Sequence, residues 1–433
     1  MRPMKQQETP ANIPDPHARP TVQDSQGSTE NGATLDAYEL EVLESPLAIS
    51  CAAWNQLLAL QPDATPFMRH EYLAAMHESG SASPKTGWTA RFMALWRDRG
   101  TGAANERELH AVCALYLKDH SYGEYVFDHA WANAYHQHGL QYYPKALVAP
   151  PFTPVPGARL LARNDAARVA LARALIDWCS KAGLSSLHTL FASDADLAAC
   201  SAAGMMLRHN VQFHWTNPQP GYRDFDHFLA SLSQDKRKKI RQERRKVAQA
   251  GVTFRWARGA DIQPRDWDLF YRCYERTYYE HGNAPYLSRD FFRRMADSMA
   301  QNWLLFIGER NGRPIATSLI TVSDAGSGAC GERVAYGRYW GALERVDCLH
   351  FEACYYQPLQ WCINQGYQRF EGGAQGEHKM ARALLPVKTG SAHWLAHPAF
   401  ADAVQQFLSR EGPGIASYMD ELEQRNPFKA GSQ

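Results

Sequence analysis

Two stretches more than two hundred residues apart carry the same pattern. Pro66-Phe67-Met68-Arg69-His70-Glu71-Tyr72-Leu73-Ala74-Ala75-Met76 reads like Pro285-Tyr286-Leu287-Ser288-Arg289-Asp290-Phe291-Phe292-Arg293-Arg294-Met295, with Pro, an acid, an aromatic and Met at matching positions. Such internal similarity constrains the fold more than any propensity does, because one unit must then be built twice. The elements that follow also match. Arg91 to Trp96 and Ala111 to Leu117 read as paired strands around a polar stretch; Trp303 to Ile307 and Ile315 to Val322 do the same around Asn311-Gly312. Asn-Gly between apolar runs marks a tight hairpin, since both turn positions need positive φ. Further strands are expected at Tyr122 to Phe127, Leu187 to Phe191, Arg333 to Trp340 and Tyr367 to Phe370, with helices over 165–182 and 349–364. Asp347 is placed to cap the second helix and Gly366 to end it. Hairpin, strand, crossover helix and strand make an α/β fold, a mixed sheet with helices on both faces. The expected organisation is a disordered tail over 1–35 and two related domains, 36–215 and 216–430.

Composition excludes several alternatives. With 45% hydrophobic and 12% aromatic residues in 433, the chain can bury a core and is not globally disordered. No apolar run approaches the roughly 18–20 residues of a membrane span, and the polar Met1 to Glu30 stretch has no secretory apolar core. The nine cysteines are scattered without a C-x-x-C pair, so reduced thiols in a cytoplasmic protein, with no metal site, are expected.

Several longer motifs occur in one order: Tyr142-Tyr143-Pro144-Lys145 with Pro151-Phe152-Thr153-Pro154-Val155, then Lys236-Arg237-Lys238-Lys239-Ile240-Arg241, then Tyr336-Gly337-Arg338-Tyr339-Trp340-Gly341. His350-Phe351-Glu352 follows, with Cys354-Tyr355-Tyr356-Gln357 and Phe370-Glu371-Gly372-Gly373-Ala374-Gln375-Gly376-Glu377-His378-Lys379. Through them, residues 40 to 430 resemble the FemAB-like predicted N-acyltransferases, which are related to the Fem aminoacyltransferases and to the Gcn5-related (GNAT) superfamily. The resemblance implies two tandem GNAT-like domains and acyl transfer to an amine acceptor, such as a peptidoglycan-precursor-like or nucleotide-linked molecule. It implies no tightly bound cofactor and a co-substrate that is either acyl-CoA or aminoacyl-tRNA. The chain departs from the superfamily in lacking a Gln/Arg-x-x-Gly-x-Gly/Ala pyrophosphate loop before Leu349, where Glu344-Arg345-Val346-Asp347 stands. It also has Arg382-Ala383-Leu384 where members carry an Arg-Gly-Phe-like stretch.

Acyl transfer to an amine needs a base, donors for the oxyanion and positioning. The glycine turn at 372–376 presents Gln375, Glu377, His378 and Lys379 together. His378 or Glu377 could be the base, and Gln375 with the loop N–H groups could serve the oxyanion. The alternative is a plain turn with a solvated edge. His350 and Glu352 fall in the first turn of the crossover helix, where the helix dipole favours the carboxylate. Arg338, on one alternating face with Tyr336 and Trp340 and with Tyr339 on the other, suits an anion anchor or a structural salt bridge. The run Lys236 to Lys246 holds eight cations and Glu243. On a helix over 236–250 it places Arg237, Lys239, Arg241 and Arg244 as phosphate ligands, with Lys145 and Lys388 as weaker candidates. The alternative is a solvated face.

Net charge is +1, so the chain outside this run carries +1 − 7 = −6. That excludes wholesale coating of nucleic acid but allows one polyanionic, small-molecule or tRNA-linked substrate, with no stable nucleic-acid complex beyond tRNA. A monomer or homodimer is expected. The competing function is a non-catalytic RNA- or tRNA-binding protein that uses only the basic helix.

Overall fold

Asn311 and Gly312 both adopt positive φ, 51° and 71°, and join two long strands as the hairpin motif requires. The computed structural model describes residues 38–98, 107–324, 331–374 and 376–429; the expected tail lies outside the described residues. Among them, no helix is long and apolar enough to cross a membrane.

The strands in chain order are β1 (Glu39–Leu43), β2 (Trp88–Asp98), β3 (Arg107–Lys118), β4 (Lys145–Val148), β5 (Leu161–Ala162), β6 (Ser186–Ala192) and β7 (Met206–Thr216) in the first half. The second half supplies β8 (Val252–Arg258), β9 (Trp303–Arg310), β10 (Arg313–Ser323), β11 (Val334–Ala342), β12 (Arg369–Glu371) and β13 (Leu385–Leu395). They form one 13-stranded mixed sheet in the order β1-β2-β3-β4-β6-β13-β7-β12-β11-β10-β9-β8, with β5 on β3. The order is symmetric about its centre. β1-β2-β3-β4-β6 mirrors β8-β9-β10-β11-β12, and each series contains one parallel pair, β4 with β6 and β11 with β12. The last strand of each half crosses to the other: β13 lies on β6, β7 lies on β12, and the two pair antiparallel with each other.

The repeated segments meet across this pseudo-twofold. Helix His70–Glu78 packs on helix Arg289–Ser298, with the Tyr72 and Phe291 rings edge to face at 5.4 Å. The Ser288 N–H donates to Ser81 Oγ at 3.0 Å. Around them, Phe67, Phe92, Phe270, Phe292 and Trp303 belong to one core cluster drawn from both halves.

Two expectations are corrected. Tyr122 to Phe127 is a loop, because Gly123 and Tyr125 take positive φ and Glu124 turns inward to Lys145. Asp347 does not cap the crossover helix; Cys348 occupies that position in a left-handed conformation with no side-chain cap bond. Gly366 does terminate the helix, at φ 69°.

Gly341 lets β11 lie directly on helix Pro264–Glu280, since a Cβ there would sit 1.9 Å from the Cys273 carbonyl oxygen. Backbone cannot yield as a side chain can. Gly341→Ala is therefore expected to cost about 1–3 kcal/mol, measured as a lowered urea midpoint with unchanged m-value.

Candidate active site

β11 and β12 pair in parallel for three residues, Val334 to Tyr336 against Arg369 to Glu371, and then part. Glycines mark the point of separation. A Cβ on Gly337 would press on Phe370 at 3.1 Å, and one on Gly372 would strike Leu384 at 2.5 Å. On the other edge of β11 the register with β10 slips, Ile320 pairing with Gly337 and Leu319 with Tyr339. Arg338 is the extra residue of that bulge, and a bulge re-aims the side chain it carries. Strict alternation is thus corrected: Arg338 lies over the Phe67 ring at 5.2 Å and the Tyr339 ring at 5.1 Å, on the face of Tyr336, whereas Trp340 turns to the opposite face against His350. Its Nη2 donates to the Phe152 carbonyl at 2.8 Å, and Nε is buried without a partner. Among the described residues no carboxylate forms an ion pair with Arg338. A salt bridge, one of its two expected roles, is absent there, and a guanidinium so placed is suited to an anion or a polarised carbonyl.

The parting opens a cavity on each side of the sheet, and Gly337, Arg338, Tyr339 and Gly372 line both. One, of about 200 Å³, is walled by Tyr125, Phe152, Tyr274, Tyr278 and Tyr286. Tyr125 and Phe152 both hold positive φ, 63° and 56°, backbone strain gathered at one wall. The other, of about 110 Å³, is walled by Ser318, Trp340, His350, Cys354 and Tyr355, at the start of the crossover helix. There the helix widens into a π turn over Glu352–Tyr356, an irregularity frequent at functional sites. Burial, with His378 and Arg382 adding, holds the His350 imidazole down to about 4, so it is neutral at pH 7. Tyr355 OH meets His378 Nε2 at 3.3 Å.

The first half has the same parallel split, but it is filled. Beyond Val148 the chain turns away, and Arg159, wholly buried, enters beside β6 to donate to the Leu190 carbonyl at 2.9 Å and to that of Val155. The gap lined by Arg338 belongs to the second half.

The basic helix, Gln234–Gln249, lies against the crossover helix, tied to it by one ion pair and by a second to the turn Glu377–Arg382. Arg244 Nε reaches both oxygens of buried Glu352 at 3.1 and 3.2 Å, with Gln357 also donating to that carboxylate at 2.7 Å. Glu243, the one acid in the run, is buried and accepts from Arg382 at 3.0 Å and from Tyr356 OH. The four cations expected to bind phosphate thus differ in setting: Arg244 points inward, while Lys239 and Arg241 are exposed and Arg237 is half-buried. Arg244→Ala and Glu352→Gln together are expected to cost less than the sum of the two, with an interaction energy of about 1 kcal/mol in a double-mutant cycle of urea unfolding.

Arg338, Trp340 and His350 converge on the gap, with His378 at its rim. Lys379 is buried and donates to the carbonyls of Gly373 and Ala374 at 3.0 and 2.7 Å, so it braces the glycine loop; burial lowers its pKa to about 8. Glu377 faces the surface, bonded to Tyr418 and Arg425. Glu352 is held by Arg244. Gln375 lies outside the described residues. Lys388 lines a separate cavity. Lys145 is wholly buried in the first half against Glu124, Asp128 and Ser121. Sequence reasoning overlooked Tyr355, Glu371 and the tie of Glu243 to Arg382. A single acid inside a cationic run, and an acid closing a strand before glycines, were the available signals.

No curated protein matches the sequence. Among solved structures, FemX aligns at 10% identity with a TM-score of 0.49 over 84% of this chain and 100% of that one. L-PGS from Bacillus licheniformis aligns at 10% identity and 0.44, over 81% and 98%. A tandem GNAT protein from the clavulanic acid biosynthesis pathway aligns at 13% and 0.38, over 83% and 99%. The family model of FemAB-like proteins, described as peptidoglycan biosynthesis and recognition, matches residues 46–430. By that match, which takes in both halves, the chain belongs to the FemAB-like family.

Proposed function

We propose that the protein is an N-acyltransferase that passes an acyl or aminoacyl group from a CoA or tRNA donor to an amine, through the gap between β11 and β12. The observation that carries this reading is Arg338, a bulged cation with no carboxylate partner among the described residues, set where the strands part and cavities open on both faces. The amine nitrogen attacks the acyl carbonyl, Arg338 stabilises the charge growing on its oxygen, and the thioester or ester bond breaks. The ammonium proton leaves to a base, and the departing thiolate or ribose oxygen takes up a proton. His350, which lines the smaller cavity and is uncharged at pH 7, is the proposed acceptor. Family membership supports the acyltransferase class. The exposed cations of the basic helix, beside the crossover helix, support a phosphate-bearing donor.

The test is mass spectrometry of reactions containing acetyl-CoA or charged tRNA with a panel of primary amines. Formation of an N-acyl product is expected with one donor class. If neither donor binds and no amide forms, the transferase reading fails. The exposed Lys239, Arg241 and Arg245 then favour the RNA-binding reading, in which Arg237→Ala with Arg241→Ala abolishes RNA retention.

A further inference from the structure

A cavity of about 420 Å³ lies between the halves, formed by the ends of β6, β7, β11, β12 and β13 and by the loop at Asp63. It adjoins the gap through Glu371, the residue before Gly372, and through Phe67, whose ring touches both Tyr336 of this cavity and Arg338. Four carboxylates line it, Asp63, Asp194, Glu332 and Glu371, against two cations, Arg369 and Lys388. Arg369 is already engaged, with Glu332 at 2.5 Å and Glu371 Oε1 at 3.1 Å. Two polar atoms remain unsatisfied although their residues are nearly wholly buried: Glu371 Oε2, from the second half, and Thr65 Oγ1, from the first, with residue exposures of 4% and 5%. A buried acceptor left unpaired is costly, and a ligand that supplies its proton recovers that cost. His214 does not serve: its Nε2 is 3.9 Å from Glu371 Oε2 and meets Gln212 Oε1 at 3.3 Å instead.

We propose that this cavity seats a primary alkylammonium group, bonded to Glu371 Oε2 and Thr65 Oγ1 with Asp63 and Asp194 at the rim, and that its occupant is the acceptor, which leaves one proton on Glu371 and attacks as the free amine. The second clause rests on the transferase reading above; the first does not. Burial pushes Glu371 up to about 7 against the pull of Arg369, and an ammonium alongside restores the carboxylate. Burial holds His214 near 3, so it adds no competing charge.

Calorimetric titration of the full chain with 1,5-diaminopentane, and with glutarate as the dianion of matched length, tests the site without any transfer. Saturable binding of the diamine and none of glutarate is expected. Glu371→Gln, which keeps shape and still accepts from Arg369, should weaken it about tenfold or more, and Thr65→Val by a smaller factor. Preference for glutarate, no diamine binding to the native protein, or unchanged affinity in both variants would overturn the proposal. Diamine binding without acylation by either donor would remove the transferase reading and leave the site. Efficient amine acylation that is indifferent to Glu371→Gln would do the reverse.

Discussion

Arg338→Ala is expected to lower kcat/KM for acyl transfer by about 10²–10³-fold, the loss typical of removing one donor aimed at a developing oxyanion. The measurement is steady-state kinetics with whichever donor supports turnover. Arg338→Lys should recover little, because a compact ammonium cannot reproduce a planar fork that spans the Phe152 carbonyl and an acyl oxygen. The stability of the same variants separates this role from a structural one. Arg338 has no ion-pair partner among the described residues and its Nε is unsatisfied, so folding already bears a penalty for it. Replacement by Met, of similar reach, should therefore leave the urea midpoint unchanged or raise it while transfer collapses. Activity and stability moving in opposite directions mark a residue retained for function. A variant that loses both together would reduce Arg338 to a packing residue.

Much of the fold was legible because the chain states it twice. The two matching segments, the Asn311-Gly312 hairpin and the periodic helix over 165–181 each report local geometry, which short-range pattern encodes. What pattern does not encode is which strand lies beside which. β7 and β13 are unremarkable in sequence, and nothing local says that each leaves its own half to pair in the other. Bulges are equally silent: Tyr336-Gly337-Arg338-Tyr339-Trp340 reads as simple alternation, and only the slipped register with β10 shows that Arg338 and Trp340 face opposite ways. For the site, residue types were informative but their partners were not. Arg338, Trp340 and His350 were candidates by residue type, and the structure sets all three around one cavity. Glu377 lies apart from them, bonded to Tyr418 and Arg425 near the end of the chain, a partnership that no local pattern announces.

The pseudo-twofold also explains why one half carries the candidate chemistry. A parallel pair that separates is a weak point in a sheet, since the exposed backbone groups must find partners. In the first half Arg159 and the 150–158 stretch supply them, so that split is structural. In the second half glycines keep it open. The exchange of β7 and β13 then fixes the open gap against the first half, whose Phe152 and Tyr125 close one of its walls.

Lys145→Met should cost about 3–5 kcal/mol, the range for removing one partner of a buried ion pair. The ammonium is fully buried, bonded to Glu124 at 2.7 Å, to Ser121 at 2.8 Å and to Asp128. Burial alone would lower its pKa, yet Glu124 and Asp128 outweigh that and raise it. From Asp128 the network runs on. Tyr142 OH donates to Asp128 at 2.6 Å and meets His188 Nε2 at 3.1 Å, and His188 Nδ1 meets His393 Nδ1 at 2.8 Å. His393 sits on β13, so this chain of bonds fastens the exchanged strand to the first half. Two signatures follow. Hydrogen exchange over 385–395 should accelerate in Lys145→Met more than exchange in β9 and β10. The deficit should also shrink as pH falls from 7 toward 4. Without the ammonium, the two buried carboxyls titrate above their unfolded values, so the folded state binds more protons than the unfolded one and gains stability on acidification. In the native protein Asp128 behaves oppositely: Lys145 and Tyr142 hold it below its ordinary value in spite of burial, and its contribution is lost only as pH falls through that depressed pKa. Neutralising the carboxyls as well, in Lys145→Met with Glu124→Gln and Asp128→Asn, should recover at least half of the loss. A triple variant no more stable than the single one would show that the lysine acts through packing rather than charge.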